Sequence, residues 1–148
     1  MTYQLNAPLF QAERYVERHV PRDATVLVDS NVWIDLVDDG FPPRRVVWFW
    51  ELNTDPDVER RYPRGWRQMD YVVATNTLRA NILTHAASVR PVVAAIAHST
   101  ARASFGTGTN LVTVYRVRPN GPVHAPWWLP GYGSTTPPRS GPDKGQAR

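Results

Sequence analysis

Four carboxylates stand where the chain could use them for chemistry. Asp29 and Asp35 fall in Val-Asp-Ser-Asn-Val-Trp-Ile-Asp, Glu51 follows an aromatic run, and Asp70 precedes Tyr-Val-Val-Ala. Converging carboxylates hold hard cations such as Mg²⁺ or Mn²⁺, and one aspartate alone cannot fix a two-metal site. Residues 71–142 contain neither Asp nor Glu, so the later half of the domain has nothing to add to such a site. No metal, cofactor or catalytic residue is therefore expected. His19, His85, His98 and His124 are dispersed, without a helical His-Glu-x-x-His. Ser30 stands at a strand-to-helix turn but has no Gly-x-Ser-x-Gly context and no identifiable partnered histidine. Gly106-x-Gly108 precedes no helix, so it is a weak phosphate cradle.

What remains is a set of polar side chains at strand ends. Thr25 to Val28 reads as a buried strand running into an amphipathic helix with Val32, Trp33, Leu36 and Val37 on one face, closed by Gly40 and Pro42-Pro43. Asp29, Ser30 and Asn31 lie at the junction. A third strand, Met69 to Ala74, runs in the same way into Thr75-Asn76-Thr77. In α/β sheets ligands sit outside the carboxyl ends of the strands. That rule places Asp29, Ser30, Asn31, Thr75, Asn76 and Thr77 around one crevice, with Trp33 nearby. The same residue types also serve simply as helix caps.

The other elements must frame that crevice. Asn6 to Val20 reads as an opening helix with Leu9, Ala12, Val16 and Val20 on one stripe; Glu13, Arg14, Glu17 and Arg18 read as solvated surface. Val46 to Trp50 is a second strand that would set Trp48 and Trp50 on the same side, for core cover or for stacking on a ring. Leu52 to Gly65 is a charged loop with a short helix beginning at Asp55-Pro56-Asp57. Leu78 to Ala97 is a helix bent at Pro91, and Ala101 to Phe105 with Leu111 to Val117 forms a hairpin around Gly106 to Asn110. The order implies an α/β sandwich over residues 1–118 with a mostly parallel central sheet and an antiparallel edge hairpin. Residues 119–148 form a flexible Pro/Gly-rich tail in which Trp127-Trp128 require cover from the domain, a partner or a bilayer interface.

Composition bounds the function. A chain of 148 residues, 42% hydrophobic, suits one domain with a real core. It lacks cysteine, so disulfides and thiolate metal sites are excluded. No apolar run is expected to approach the ~18 residues that a membrane helix needs, and the start lacks a basic segment followed by an apolar one, so a soluble chain with no export signal is expected. Residues 1–70 carry 9 basic and 12 acidic side chains; residues 71–148 carry 8 basic and 1 acidic. The arginines are scattered singly, which argues against a nucleic-acid footprint.

Two resemblances attach to these residues. Val28 to Asp35 resembles the opening of a PIN-domain ribonuclease, whose first strand ends in a metal-binding Asp; the missing later carboxylates make that the alternative. A broader pattern comprises residues 26–37, Arg45 to Leu52, Gly65 to Thr75, Ile96 to Gly108 and Val112 to Val117. It resembles the soluble C-terminal domain of actinobacterial multi-pass membrane glycosyltransferases over about residues 11–118. The resemblance implies a non-catalytic accessory domain at the extracytoplasmic face of the cell membrane. Its implied partners are the enzyme's membrane domain and a carbohydrate or polyprenyl-linked sugar. It transfers no catalytic residue, because the catalytic acid of such enzymes lies in the membrane domain. A free-standing α/β interaction protein is the further alternative.

Overall fold

A computed structural model describes residues 7–129. Asn6, expected to cap the first helix, and residues 130–148 of the tail lie outside the described residues.

The sheet has five strands in the order β2-β1-β3-β5-β4, where β1 is Val26–Val28, β2 Val46–Trp48, β3 Tyr71–Ala74, β4 Ser99–Phe105 and β5 Val112–Val117. β1 pairs in parallel with both β2 and β3, whereas β5 runs antiparallel to β3 and to β4. This is the expected α/β architecture with a parallel centre and an antiparallel edge hairpin. β1 and β3 are short and apolar because both of their faces are covered, whereas the edge strand β4 is polar and largely exposed.

The helices are α1 (Ala7–His19), α2 (Ser30–Asp38), α3 (Glu51–Thr54), α4 (Pro56–Arg61), α5 (Asn76–His85) and α6 (Arg90–Ala97). Strand alternation divides the core in two. Val26, Val28, Val73 and Val114 join Ala12, Val16, Val32 and Leu36 beneath α1 and α2. Leu27, Val47, Val72 and Ala74 face Leu52, Leu78, Ile82, Val92 and Ile96 on the other side. The connection from β1 to β2 crosses one face by way of α2. The connection from β2 to β3 moves back past β1 and covers the opposite face, so the two crossovers have the same hand. The chain therefore reverses direction across the sheet at β1 and β3, and their carboxyl ends form a topological switch point.

Several local expectations are corrected. The 52–65 segment is not a loop: it folds into α3 and α4, and Leu52, Val58 and Tyr62 are buried in the larger core. Asp55 does cap α4, accepting from the Asp57 N–H. The long helix breaks at a 3₁₀ turn, Ala86–Val89, while Pro91 sits in the first turn of α6, where its missing N–H costs nothing. Against the expectation that no apolar run approaches membrane-spanning length, the helical stretch Asn76–Ala97 is apolar enough to cross a membrane by length and composition alone. Its apolar side chains Leu78, Ile82, Val92 and Ile96 fill the core. Glu13 is not solvated surface; it is buried between helices. β2 stops at Trp48, so strand alternation does not carry to Trp50. Trp48 is exposed, while Trp50 packs against the larger core and against His85.

Packing continues past residue 118. Residues 119–129 contain no helix or strand, yet Trp128 and Leu129 are buried in the larger core and the His124 N–H donates to the Ala97 carbonyl. Trp127 stays exposed.

Candidate functional site

The site begins with two helix caps that share one hydrogen bond. β1 delivers Asp29 in an extended conformation (φ −84°, ψ 175°), and β3 delivers Thr75 likewise (φ −88°, ψ 172°). Asp29 Oδ1 accepts from the Val32 N–H at 2.9 Å, capping α2. Thr75 Oγ1 accepts from the Leu78 N–H at 3.2 Å, capping α5, and donates to Asp29 Oδ2 at 2.5 Å. Both caps are buried. A single carboxylate thus faces the positive ends of two adjacent helices, and each of its oxygens is engaged inside the protein.

Above this pair lies a pocket of about 190 Å³, lined by Leu9, Asp29, Asn31, Thr75, Asn76, Thr77, Thr109, Asn110 and Val112. Five of the seven residues expected at the crevice therefore meet. Ser30 and Trp33 do not: three apart in α2, they share a different helix face and line a separate groove with Ile34, Trp48 and Glu51. The Trp33 indole N–H is bound to the Val46 carbonyl at 2.8 Å.

Sequence reasoning missed Leu9, Thr109, Asn110 and Val112. The hairpin connection reaches the pocket only because β5 lies beside β3, and no local spacing records that pairing. One signal was present, in Gly106. It has φ +81°, and a Cβ there would lie 2.6 Å from Pro8 Cγ and 2.8 Å from the Asn110 carbonyl oxygen. Only glycine lets the hairpin turn seat against the first turn of α1.

The other candidate carboxylates go elsewhere. Asp70 Oδ2 accepts from the Thr25 N–H at 2.9 Å and from its hydroxyl at 3.2 Å, at the amino ends of β1 and β3. Glu51 lines the groove beyond β2. Asp35 faces Glu13, whose carboxyl is pushed up to about 9, first by burial, then by its hydrogen bond to Asp35 and the charges of Asp35, Asp39 and Asp29. Glu13 Oε2 is buried without a partner among the described residues. No three His, Asp or Glu side chains are placed to hold a metal ion among the described residues. Three of the histidines pack on aromatic rings: His19 on Tyr15, His85 on Trp50, and His98 stacked on Trp66 with centroids 5.0 Å apart.

What the pocket offers is neutral. Asn31, Asn76, Thr77, Thr109 and Asn110 are exposed amides and hydroxyls, able to donate and to accept. The helix ends that would otherwise favour an anion already face Asp29. Comparison of the chain with known protein families, with characterised proteins and with solved structures finds no match.

Proposed function

We propose that the chain is a non-catalytic binding domain whose switch-point pocket takes one ring of a neutral sugar. We propose further that it serves as the extracytoplasmic accessory domain of a membrane glycosyltransferase. The observation that carries the first part is the use of both Asp29 oxygens as acceptors within the protein, beneath a rim of neutral amides and hydroxyls. A sugar presents a dense set of hydroxyl donors and acceptors, and Asn and Thr side chains answer both. The volume of about 190 Å³ is below that of pockets for drug-sized ligands, which suits a single ring. The membrane-enzyme setting rests on the resemblance of residues 11–118. In that setting the domain holds an acceptor sugar near a catalytic centre supplied by the membrane domain.

The test is calorimetric titration of the full chain with neutral hexoses and pentoses. Asn31→Ala combined with Asn76→Ala removes two exposed rim groups and leaves both caps intact. Losing two hydrogen bonds should weaken binding about tenfold or more. Binding unaffected by the double substitution, or no binding by any neutral sugar, overturns the reading. So does Mg²⁺-dependent RNA cleavage abolished by Asp29→Ala.

A further inference from the structure

The geometry points to a second ligand site, separate from the switch-point pocket, in the groove along the open edge of β2. Its ligand is an acidic sugar, with the ring against Trp33 and Trp48 and the anionic group on Arg44 and Arg61. The inference goes beyond the proposed function and does not depend on it.

β2 is the outer strand of the parallel side of the sheet. Three hollows join along it. One of about 330 Å³ is lined by Ser30, Trp33, Ile34, Trp48 and Glu51. The next, of about 240 Å³, shares Trp33 and Glu51 and extends to Arg44, Asp55 and Arg61. The last, of about 390 Å³, shares Arg44 and Arg61 and ends at Asp57 and Arg60.

The apolar end is built as a platform. Trp48 is 37% exposed and Ile34 52% exposed, and the two line one hollow together. The bond from the Trp33 indole N–H to the Val46 carbonyl holds that ring against the strand edge, so little side-chain freedom is lost on binding. The C–H face of a pyranose packs on such rings, and its hydroxyls find an acceptor in the half-buried Glu51 carboxylate.

Charge selects the rest of the ligand. Arg60 is paired with Asp57, whereas Arg44 and Arg61 have no carboxylate partner among the described residues. Arg61 Nη1 donates to the Arg44 carbonyl at 3.3 Å, which ties the two arginine-bearing segments together. Guanidinium groups bind carboxylates and phosphates through paired N–H donors. Glu51 and Asp55 line the same hollow as Trp33, Arg44 and Arg61 and repel a polyphosphate chain. A sugar bearing one anionic group satisfies both ends of the groove.

The experiment follows the Trp48 indole N–H resonance in the full chain, assigned by its loss in Trp48→Ala, during titration with glucuronate, glucose and adenosine monophosphate. Glucuronate should shift the resonance, with glucose about tenfold weaker or silent, since the charge-assisted bonds are lost. Arg44→Ala with Arg61→Ala should reduce the response to glucuronate to that of glucose. Asn31→Ala with Asn76→Ala, which empties the switch-point pocket, should leave the response unchanged, so the two sites fail separately. No shift with glucuronate, an equal shift with glucose, a stronger one with the nucleotide, or insensitivity to the double arginine substitution overturns the proposal.

Discussion

The Thr75 hydroxyl donates to Asp29 Oδ2 at 2.5 Å across the carboxyl ends of β1 and β3, so two helix caps are locked to each other. Each side chain also holds an N–H of its own helix, Val32 for Asp29 and Leu78 for Thr75. The pair joins the two halves of the switch point and sets the floor of the pocket.

Removing either partner should therefore harm the fold. Asp29→Ala loses a cap and leaves a buried hydroxyl without its acceptor, and should cost about 2–3 kcal/mol in urea unfolding. Thr75→Val should cost somewhat less. The double substitution should cost clearly less than the sum, because the shared bond is lost only once. Additive costs contradict the coupling.

Glu13 predicts a dependence on pH. Its carboxyl is raised from 4.5 to about 9, so the folded protein keeps a proton that the unfolded chain releases. The associated stability is complete below about pH 4.5 and is lost progressively as the pH rises toward about 9. Glu17, raised by a hydrogen bond to Asp39, shifts in the same direction. Urea unfolding of Glu13→Gln from about pH 5 to pH 9 should decline less steeply than that of the parent. Parallel profiles contradict it.

Residues 119–129 belong to the packed structure in energetic terms. Leu129 is fully buried, so Leu129→Ala should cost about 2–5 kcal/mol, and a chain ending at 118 should melt at a clearly lower temperature. Trp127 is 43% exposed, and Trp127→Ala should change stability by no more than about 0.5 kcal/mol. An unchanged melting transition after truncation contradicts the docking of Trp128 and Leu129.

Gly106→Ala tests the closure of the pocket. It places a side chain at φ +81° and forces Pro8 and the Asn110 carbonyl apart. The cost should be about 1–3 kcal/mol in urea unfolding, with a loss of ligand at the switch point as Asn110 moves. Full stability and unaltered binding contradict the role assigned to this contact.

What the sequence disclosed follows from how local each feature is. β1, β3 and the caps at Asp29 and Thr75 are written in consecutive residues, where polarity changes abruptly at a strand end. Ser30 and Trp33 adjoin Asn31 in sequence, but a helix turns about 100° per residue and carries them to another face. The burial of Glu13 depends on α1 packing near Asp35 of α2, and an isolated helix with alternating Glu and Arg gives no sign of it. Asn110 enters the site through the pairing of β5 with β3. Trp48 and Trp50 do not share a face because β2 ends after three residues, which propensity alone does not fix.

The most direct measurement is a map of backbone amide shifts in the full chain as a neutral hexose is added. The account predicts the largest perturbations at the amides of Asn31, Thr75 to Thr77 and Thr109 to Asn110, and their loss after Asn31→Ala with Asn76→Ala. Perturbations centred elsewhere, or none at saturating sugar, contradict it.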